Sequence, residues 1–181
     1  MVYLPAEDSY LLRTWVEEFA KGTVLDIGTG TGIQAIAASK NAAKVIAVDL
    51  NPNALEYAKQ QTEVMDIKNI EFRQSDLFAA IKPSEKFDMI IFNPPYLPEH
   101  PYDKEIDTTG GKHGYETIFR FFEQAKQHLK PAGKILMIFS SFSKPERILE
   151  KASSLGYKHH LLQKKHISFE DLFIYEFYQI I

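Results

Sequence analysis

Cysteine is absent from all 181 residues of the sequence. Its absence excludes disulfide frameworks, thiolate zinc sites and cysteine nucleophiles. Long hydrophobic runs are missing as well, because no apolar stretch approaches the ~18 residues of a membrane-spanning helix. The chain also opens without the basic region and apolar stretch of a signal peptide. We therefore expect no membrane segment and a cytoplasmic location.

Neither sign of charge is in large excess. The 21 lysines and arginines nearly balance 24 aspartates and glutamates, for a net charge of −3, which provides no global attraction to a nucleic acid backbone. Internal repeats and low-complexity segments are also lacking. Hydrophobic residues make up 45% of the chain and charged residues 25%, as in ordinary globular proteins. At this length we expect a single domain over residues 1–181.

What the sequence does contain is an alternation of strand-like and helix-like segments, which is typical of the α/β class. The central strands are apolar on both faces, which indicates a parallel sheet covered by helices on each side, a three-layer α/β/α sandwich. A short polar connection, Lys164, Lys165 and His166, predicts an antiparallel hairpin of the last two strands at one edge. Strands are predicted at about 23–27, 44–50, 69–74, 87–92, 134–140, 157–163 and 171–180, and helices at about 6–20, 32–40, 52–61, 115–129 and 144–155.

A glycine-rich turn, Gly28-x-Gly30-x-Gly32, joins the first predicted strand to its helix. Glycines permit backbone angles closed to other residues and let a ligand approach the main chain. In open α/β sheets, ligands bind beyond the carboxyl ends of the strands. The dinucleotide fingerprint requires a glycine where this chain has Ile33. The turn therefore predicts a ligand site without a pyrophosphate.

Three aspartates stand at the ends of successive predicted strands beside this turn. Asp49 is placed to accept hydrogen bonds from a ribose diol, and Asp26 to hold an ammonium group directly or through water. Asp76 is placed to accept from the exocyclic amine of adenine, with Leu77 flanking the ring. Taken singly, each acid is better explained as a turn or cap residue. Together with the glycines, they predict an adenosine-bearing ligand with an amino acid end, S-adenosylmethionine.

A second motif, Asn93-Pro94-Pro95-Tyr96, ends the strand predicted at 87–92 and points to the same crevice. Two prolines can simply terminate a strand. A planar amide or exocyclic amine, however, needs help to act as a nucleophile, because its nitrogen lone pair is delocalised. The Asn93 side-chain carbonyl and the Pro94 main-chain carbonyl can accept its two N–H bonds and aim the lone pair at an electrophilic methyl group. Pro95 offers no competing N–H donor, and Tyr96 can stack on the planar group.

With these motifs, the sequence resembles a class I S-adenosylmethionine-dependent methyltransferase of the HemK family. Members of that family methylate the glutamine side chain in the Gly-Gly-Gln motif of peptide-chain release factors. The resemblance covers nearly the whole chain. Residues 2–9 and 110–114 are similar to signatures of the family's short archaeal and eukaryotic branch, whereas Asp107-Thr108-Thr109 departs from the expected pattern. The resemblance implies a Rossmann-like methyltransferase fold with strand order 3-2-1-4-5-7-6 and an antiparallel last strand.

The resemblance also implies a partner and roles for individual residues. The short branch commonly works with a small zinc-binding activator protein that pairs along the edge strand, here Asn69 to Gln74. Apolar residues on an exposed edge, such as Ile70 and Phe72, are templates for such pairing, although an ordinary edge strand carries them too. The residues implied to contact the cofactor are Ser9, Asp26, Gly28, Asp49, Asp76, Leu77 and Asn93, the last shared with the substrate.

Three functions follow from these observations. The first is methylation of a release-factor glutamine during translation termination. The second is methylation of an exocyclic amine of adenine or guanine in RNA or DNA, since the motif at Asn93 to Tyr96 is shared with adenine-amino methyltransferases. The net charge and the lack of an appended nucleic-acid module disfavour it. The third is a non-catalytic subunit that binds an adenosine ligand, which would not require that tetrapeptide.

Two further expectations concern metal and substrate. His159 and His160 are adjacent and would point to opposite faces of a strand, so we expect no metal site there. The irregular segment at residues 97–113 predicts a loop at the mouth of the site.

Overall fold

The computed structural model describes residues 4–96 and 111–179. Its helices are α1 (Glu7–Phe19), α2 (Ile33–Ser39), α3 (Pro52–Val64), α4 (Glu116–Ala125) and α5 (Pro145–Ser154). Its strands are β1 (Gly22–Ile27), β2 (Ala42–Asp49), β3 (Ile70–Gln74), β4 (Phe87–Phe92), β5 (Leu129–Ser140), β6 (Tyr157–Ile167) and β7 (Glu170–Gln179). Short 3-10 turns at Lys126–His128 and Ser141–Ser143 flank β5.

Local sequence explains where individual helices begin and which face they bury. The side chain of Asn51 accepts a hydrogen bond from the Asn53 N–H at 3.0 Å, and Pro52 occupies the first helical position, so α3 starts there. In α4, Ile118, Phe121, Phe122 and Ala125 recur at helical spacing and are all fully buried. Within residues 4–96 and 111–179, none of the helices has the length and apolar character needed to cross a membrane.

The strands form a sheet in the order β3-β2-β1-β4-β5-β7-β6. Neighbours from β3 across to β5 pair in parallel, and β7 runs antiparallel to both β5 and β6. The predicted strand order, the mostly parallel sheet and the antiparallel last strand are therefore confirmed.

The connection between the last two strands was predicted wrongly. Lys164, Lys165 and His166 belong to β6, and the turn consists of Ser168 and Phe169. Charged residues are tolerated there because β6 is an edge strand, and Lys164 and Lys165 each pair with a carboxylate at 2.8 Å. A polar run of this kind cannot be told from a loop by its composition alone.

Helices cover both faces of the sheet, which confirms the three-layer architecture. One core cluster packs α4 and α5 against the sheet and includes Phe92, Phe121, Phe122 and Phe177. The other packs α1 and α2 against the opposite face through small side chains and through Leu12 and Val16 of α1. At roughly 1.5–3 kcal/mol for each fully buried large apolar side chain, the two clusters provide most of the favourable free energy of folding.

Parallel pairing brings three strand ends to one edge of the sheet. Register aligns Ile27 of β1 with Val48 of β2 and with Phe92 of β4. The loops that follow are held by backbone bonds, Thr29 N–H to Val48 O and Ser75 N–H to Asp49 O, both at 2.9 Å. The glycine turn, Asp49 and Asn93 consequently emerge beside one another.

Candidate functional site

A cavity of about 490 Å³ opens at this edge of the sheet, within the size range of small-molecule sites. Eight of the predicted site residues line it: Ser9, Gly28, Gly30, Asp49, Asp76, Leu77, Asn93 and Pro95. Four others, Asp26, Gly32, Pro94 and Tyr96, do not belong to its lining. The cavity thus joins the glycine turn and the Asn-Pro-Pro-Tyr motif in a single site, as the sequence predicts.

Asp49 is fixed by backbone donors on both of its oxygens. Its Oδ2 accepts from the Gly30 N–H at 2.8 Å, and its Oδ1 accepts from the Asn51 N–H at 2.9 Å. Gly28 and Gly30 have φ values of 66° and 54°, the left-handed region that suits glycine. The carboxylate therefore has a defined orientation at the cavity wall.

Gly32 has a structural role beside its predicted ligand contact, which stays a prediction. It is the N-cap of α2 with a φ of 84°, and a Cβ atom there would lie 3.0 Å from the Cβ of Ala58 in α3. A contact that short is tighter than normal packing between two methyl groups. The glycine is therefore required for close packing of α2 on α3, which places the glycine turn.

Asp26 lies beneath the glycine turn and is 1% exposed, which explains why it does not reach the cavity. Its Oδ2 accepts from the Thr29 hydroxyl at 2.6 Å. Burial raises the pKa of Asp26 to about 7; the Thr29 bond opposes that rise, and the charge of Asp49 adds to it. The contact of Asp26 with a ligand ammonium group, directly or through water, stays a prediction.

Asp76 also differs from the expectation of a carboxylate waiting for adenine. Its Oδ2 accepts from Nη2 of Arg120 at 2.7 Å, and both side chains are about half exposed. Arg120 and Thr117 of α4 line the cavity beside Leu77, which adopts a φ of 49°. An adenine amine would share Asp76 with Arg120, a cavity residue that the sequence patterns do not single out.

Gln34 is a second cavity residue that sequence reasoning missed. It is 3% exposed in the first turn of α2, and its Nε2 donates to the Ser9 main-chain oxygen at 2.8 Å. Its Oε1 is buried and has no hydrogen-bond partner. Buried acceptors are normally satisfied, so this oxygen is well placed for a ligand donor. The available signal was a lone polar residue in an otherwise small and apolar helix start.

The side-chain amide of Asn93 is hydrogen-bonded at its nitrogen but not at its oxygen. Its Nδ2 donates to Oδ2 of Asp8 at 3.1 Å and approaches the Ser9 hydroxyl at 3.4 Å. Its Oδ1 is buried without a hydrogen-bond partner. The Tyr96 hydroxyl also donates to Asp8 Oδ2, at 3.1 Å, so Asp8, to which the sequence patterns assign no individual role, links two residues of the motif.

The predicted loop at the mouth of the site falls mostly outside the described residues, which resume at Gly111. Its final part is anchored to α4, because the Glu116 carboxylate accepts from the His113 N–H at 3.1 Å and contacts its ring nitrogen at 2.9 Å. Elsewhere in the described chain, no three histidine, aspartate or glutamate side chains come together as a metal site would require.

Residues 7–167 match the family model described as the methyltransferase small domain. The chain belongs to this family. Membership agrees with the predicted class I methyltransferase fold and with the prediction of an enzyme, and it disfavours the non-catalytic subunit. The family's fold also accounts for the position of the cavity at the carboxyl ends of the strands.

Individual relatives are consistent with this family. A Methanocaldococcus jannaschii protein named as a protein N5-glutamine methyltransferase is 38% identical over 96% of this chain and 89% of its own. A release factor glutamine methyltransferase of Koribacter versatilis is 40% identical over 63% of this chain, which spans only 45% of that relative. In the solved E. cuniculi Mtq2–Trm112 complex, which methylates the eRF1 termination factor, one chain superposes with a TM-score of 0.80 at 26% identity, over 99% of both chains.

The raised pKa of Asp26 predicts a pH-dependent cost of folding. A carboxyl group whose pKa rises from 3.8 to about 7 on folding gives its full stability below pH ~4, and that stability is lost as pH rises from about 4 to about 7. Asp26→Asn keeps the shape without the charge. Between pH 5 and 8 its free energy of unfolding should therefore rise relative to that of the wild type by about 3 kcal/mol, most of it below pH 7.

Urea unfolding at several pH values measures this difference. Asp88→Asn is the matched control. Burial raises the pKa of Asp88, but bonds from Lys130 and the Thr23 N–H outweigh burial and lower this pKa overall. The difference in free energy of unfolding between Asp88→Asn and the wild type should therefore stay constant from pH 5 to 8. If the free energies of unfolding of the wild type and Asp26→Asn differ by a constant amount from pH 5 to 8, the raised pKa of Asp26 is contradicted.

Proposed function

We propose that this protein transfers a methyl group from S-adenosylmethionine to the side-chain amide nitrogen of the glutamine in the Gly-Gly-Gln motif of a peptide-chain release factor. The observation that carries the proposal is the buried, unpartnered Oδ1 of Asn93, a residue that lines the cavity. An acceptor in that state suits the N–H of a planar amide. The names of the archaeal and bacterial relatives support glutamine as the substrate, and a release-factor substrate supports a cytoplasmic location.

The residues lining the cavity fit S-adenosylmethionine. Asp49 faces the cavity with a backbone-fixed carboxylate for the ribose hydroxyls, and Gln34 offers its unpartnered Oε1 to the ammonium group. Leu77 and Asp76 stand where the adenine would lie, with Arg120 on the outer side of Asp76. When bound, the cofactor supplies a methyl group activated by a sulfonium charge.

The chain's own contribution to the chemistry is positioning. Asn93 Oδ1 would accept one N–H of the substrate amide, and the main-chain carbonyl of Pro94, which stands between the cavity-lining Asn93 and Pro95, would accept the other. The Tyr96 hydroxyl donates to Asp8, and this bond would orient the ring beside the cavity for stacking on the planar group. The bound cofactor would supply its methyl group to the amide nitrogen with loss of its carbon–sulfur bond, and solvent would take the surplus amide proton.

No strong general base is needed for this step. Among the described residues that line the cavity there is no histidine, and the two aspartates are engaged with Gly30, Asn51 and Arg120. The amide proton becomes acidic only as the nitrogen gains its new bond, so desolvation and alignment account for the rate.

A small zinc-binding partner protein that pairs with β3 is the second part of the proposal. Among the strands of residues 4–96 and 111–179, β3 lies at the sheet edge and pairs with β2 alone, so one row of its backbone groups is not used by those strands. Beside it, at the end of α3, Val64 and Met65 are 85% and 55% exposed. The Mtq2–Trm112 complex supports this arrangement, since it pairs a similar chain with another protein.

The substrate is tested by following labelled methyl groups from S-adenosylmethionine. We expect label in intact release factor, none in a version whose Gly-Gly-Gln glutamine is alanine, and none in total RNA, with a higher rate when the partner is added. Label in RNA but not in the factor would replace this proposal with methylation of an exocyclic base amine. Label in neither would favour a non-catalytic role.

Substitutions of Asp49 and Asn93 should separate cofactor binding from methyl transfer. Asp49→Ala removes charge-assisted bonds and should raise the Kd for S-adenosylmethionine roughly tenfold or more. Asn93→Ala should abolish transfer while that Kd changes by no more than about threefold, since it removes a contact made chiefly to the substrate. Calorimetry and single-turnover rates measure both. An unchanged Kd in Asp49→Ala, or turnover retained in Asn93→Ala, would contradict the assigned roles.

The partner surface is tested with a double substitution, Val64→Lys and Met65→Lys. Desolvating two ammonium groups in the interface should weaken partner binding roughly tenfold or more. Phe169→Lys is the matched control, because Phe169 is 90% exposed but lies beside β6 at the opposite edge of the sheet. Equal weakening by both changes, or full activity with no detectable complex, would rule out pairing at β3.

A further inference from the structure

The carboxylate of Asp8 is buried between the start of α1 and the catalytic motif. Asp8 is 4% exposed, and each oxygen has its own set of donors. Oδ1 accepts from the N–H of Ser9 at 2.6 Å and from its hydroxyl at 3.2 Å. Oδ2 accepts from Nδ2 of Asn93 and from the hydroxyl of Tyr96, both at 3.1 Å. One side chain therefore joins the first turn of α1 to the segment after β4.

The chemistry of a carboxylate decides which way the Asn93 amide faces. The two ends of an asparagine amide have nearly the same size, so packing alone does not select between them. An ionised carboxylate only accepts hydrogen bonds, and it therefore holds Nδ2 and turns Oδ1 the other way. In this orientation Oδ1 is the buried acceptor without a partner.

The start of α1 is itself held in place on two sides. The main-chain oxygen of Ser9 accepts from Nε2 of Gln34 in α2 at 2.8 Å. Farther along α1, Nε1 of Trp15 donates to Oε1 of Gln163 in β6 at 2.7 Å. The position of Asp8 is therefore set by the contacts of α1 and not by Asn93. Asp8 presents a fixed acceptor to the Asn93 amide, as a positioning residue must.

We propose that Asp8 is a positioning residue that fixes the Asn93 amide with Oδ1 toward the reacting nitrogen. This inference rests on the proposed function, in which Asn93 accepts an N–H of the substrate amide. The bond between Asp8 and Tyr96 aligns the second member of the motif from the same oxygen. The carboxylate of Asp8 therefore determines which atom of the Asn93 amide, the acceptor Oδ1 or the donor Nδ2, is turned toward the substrate.

Asp8→Asn tests the proposal because it changes one oxygen into a donor at constant size. If the remaining oxygen stays on the Ser9 N–H, an amide NH₂ faces Asn93, which then gains by turning its own oxygen inward. We expect kcat for release factor to fall roughly tenfold to a hundredfold, while the Kd for S-adenosylmethionine stays within about twofold.

Glu7→Gln is the matched control. It makes the same chemical change one residue earlier, at an exposed side chain whose ion pair is with Lys165. We expect its kcat to equal that of the wild type. A merely structural role for Asp8 would lower kcat and cofactor affinity together with thermal stability, and that outcome would overturn the proposal, as would an unchanged kcat in Asp8→Asn.

Nuclear magnetic resonance of the Asn93 side-chain amide gives a test that does not depend on the substrate. In the wild-type protein the Nδ2 protons should exchange slowly with solvent, and their signal is identified by its loss in Asn93→Ala. Rapid exchange in the wild type would overturn the proposal even if Asp8→Asn failed to fold. A wild-type protein that shows slow exchange but methylates no release factor would instead contradict the proposed function and leave the orienting role of Asp8 supported.

Discussion

Parallel pairing of β2, β1 and β4 is the constraint on which the site depends. Because all three strands run in one direction, Asp49, the glycine turn and Asn93 leave the sheet at the same edge. Apolar contacts on both faces hold these strands in register. If one of these strands were reversed, its carboxyl end would lie at the opposite edge of the sheet. The residues that follow that strand could then not line the cavity.

Hydrogen bonding distinguishes two parts of the cavity. Beside the glycine turn, Asp49 accepts from backbone donors on both oxygens, and Gln34 has an unpartnered side-chain oxygen. At the Asn-Pro-Pro-Tyr motif, Asn93 has another. Leaving buried acceptors unmet costs roughly 1–3 kcal/mol each, a cost that ligand donors recover on binding. Part of the free energy of ligand binding would therefore come from satisfying these buried acceptors.

The sequence was sufficient for the strand order and for most of the cavity lining, because glycines at Gly28 and Gly30 and acids after strands are local signals. It was insufficient where the decisive contact is tertiary. Asp8 in α1 contacts Asn93 after β4, and Arg120 in α4 contacts Asp76 after β3. Gln34 lines the cavity because of its position around the α2 helix. Gly32 and Asp26 lie in the predicted segment, where Gly32 packs against Ala58 and Asp26 is buried, and their contacts to a cofactor stay predictions. The basic end of β6 was mistaken for a turn because an edge strand and a loop share the same polarity.

We propose that Asn93 Oδ1 binds a planar amide while Asp8 holds Nδ2. A crystal structure with S-adenosylhomocysteine and a Gly-Gly-Gln peptide tests this arrangement. We expect the glutamine nitrogen within ~3.2 Å of Asn93 Oδ1, with the Asp8 carboxylate still on Nδ2 and the nitrogen facing the sulfur. A glutamine side chain bound elsewhere in the cavity, or an Asn93 amide turned away from Asp8, would contradict it.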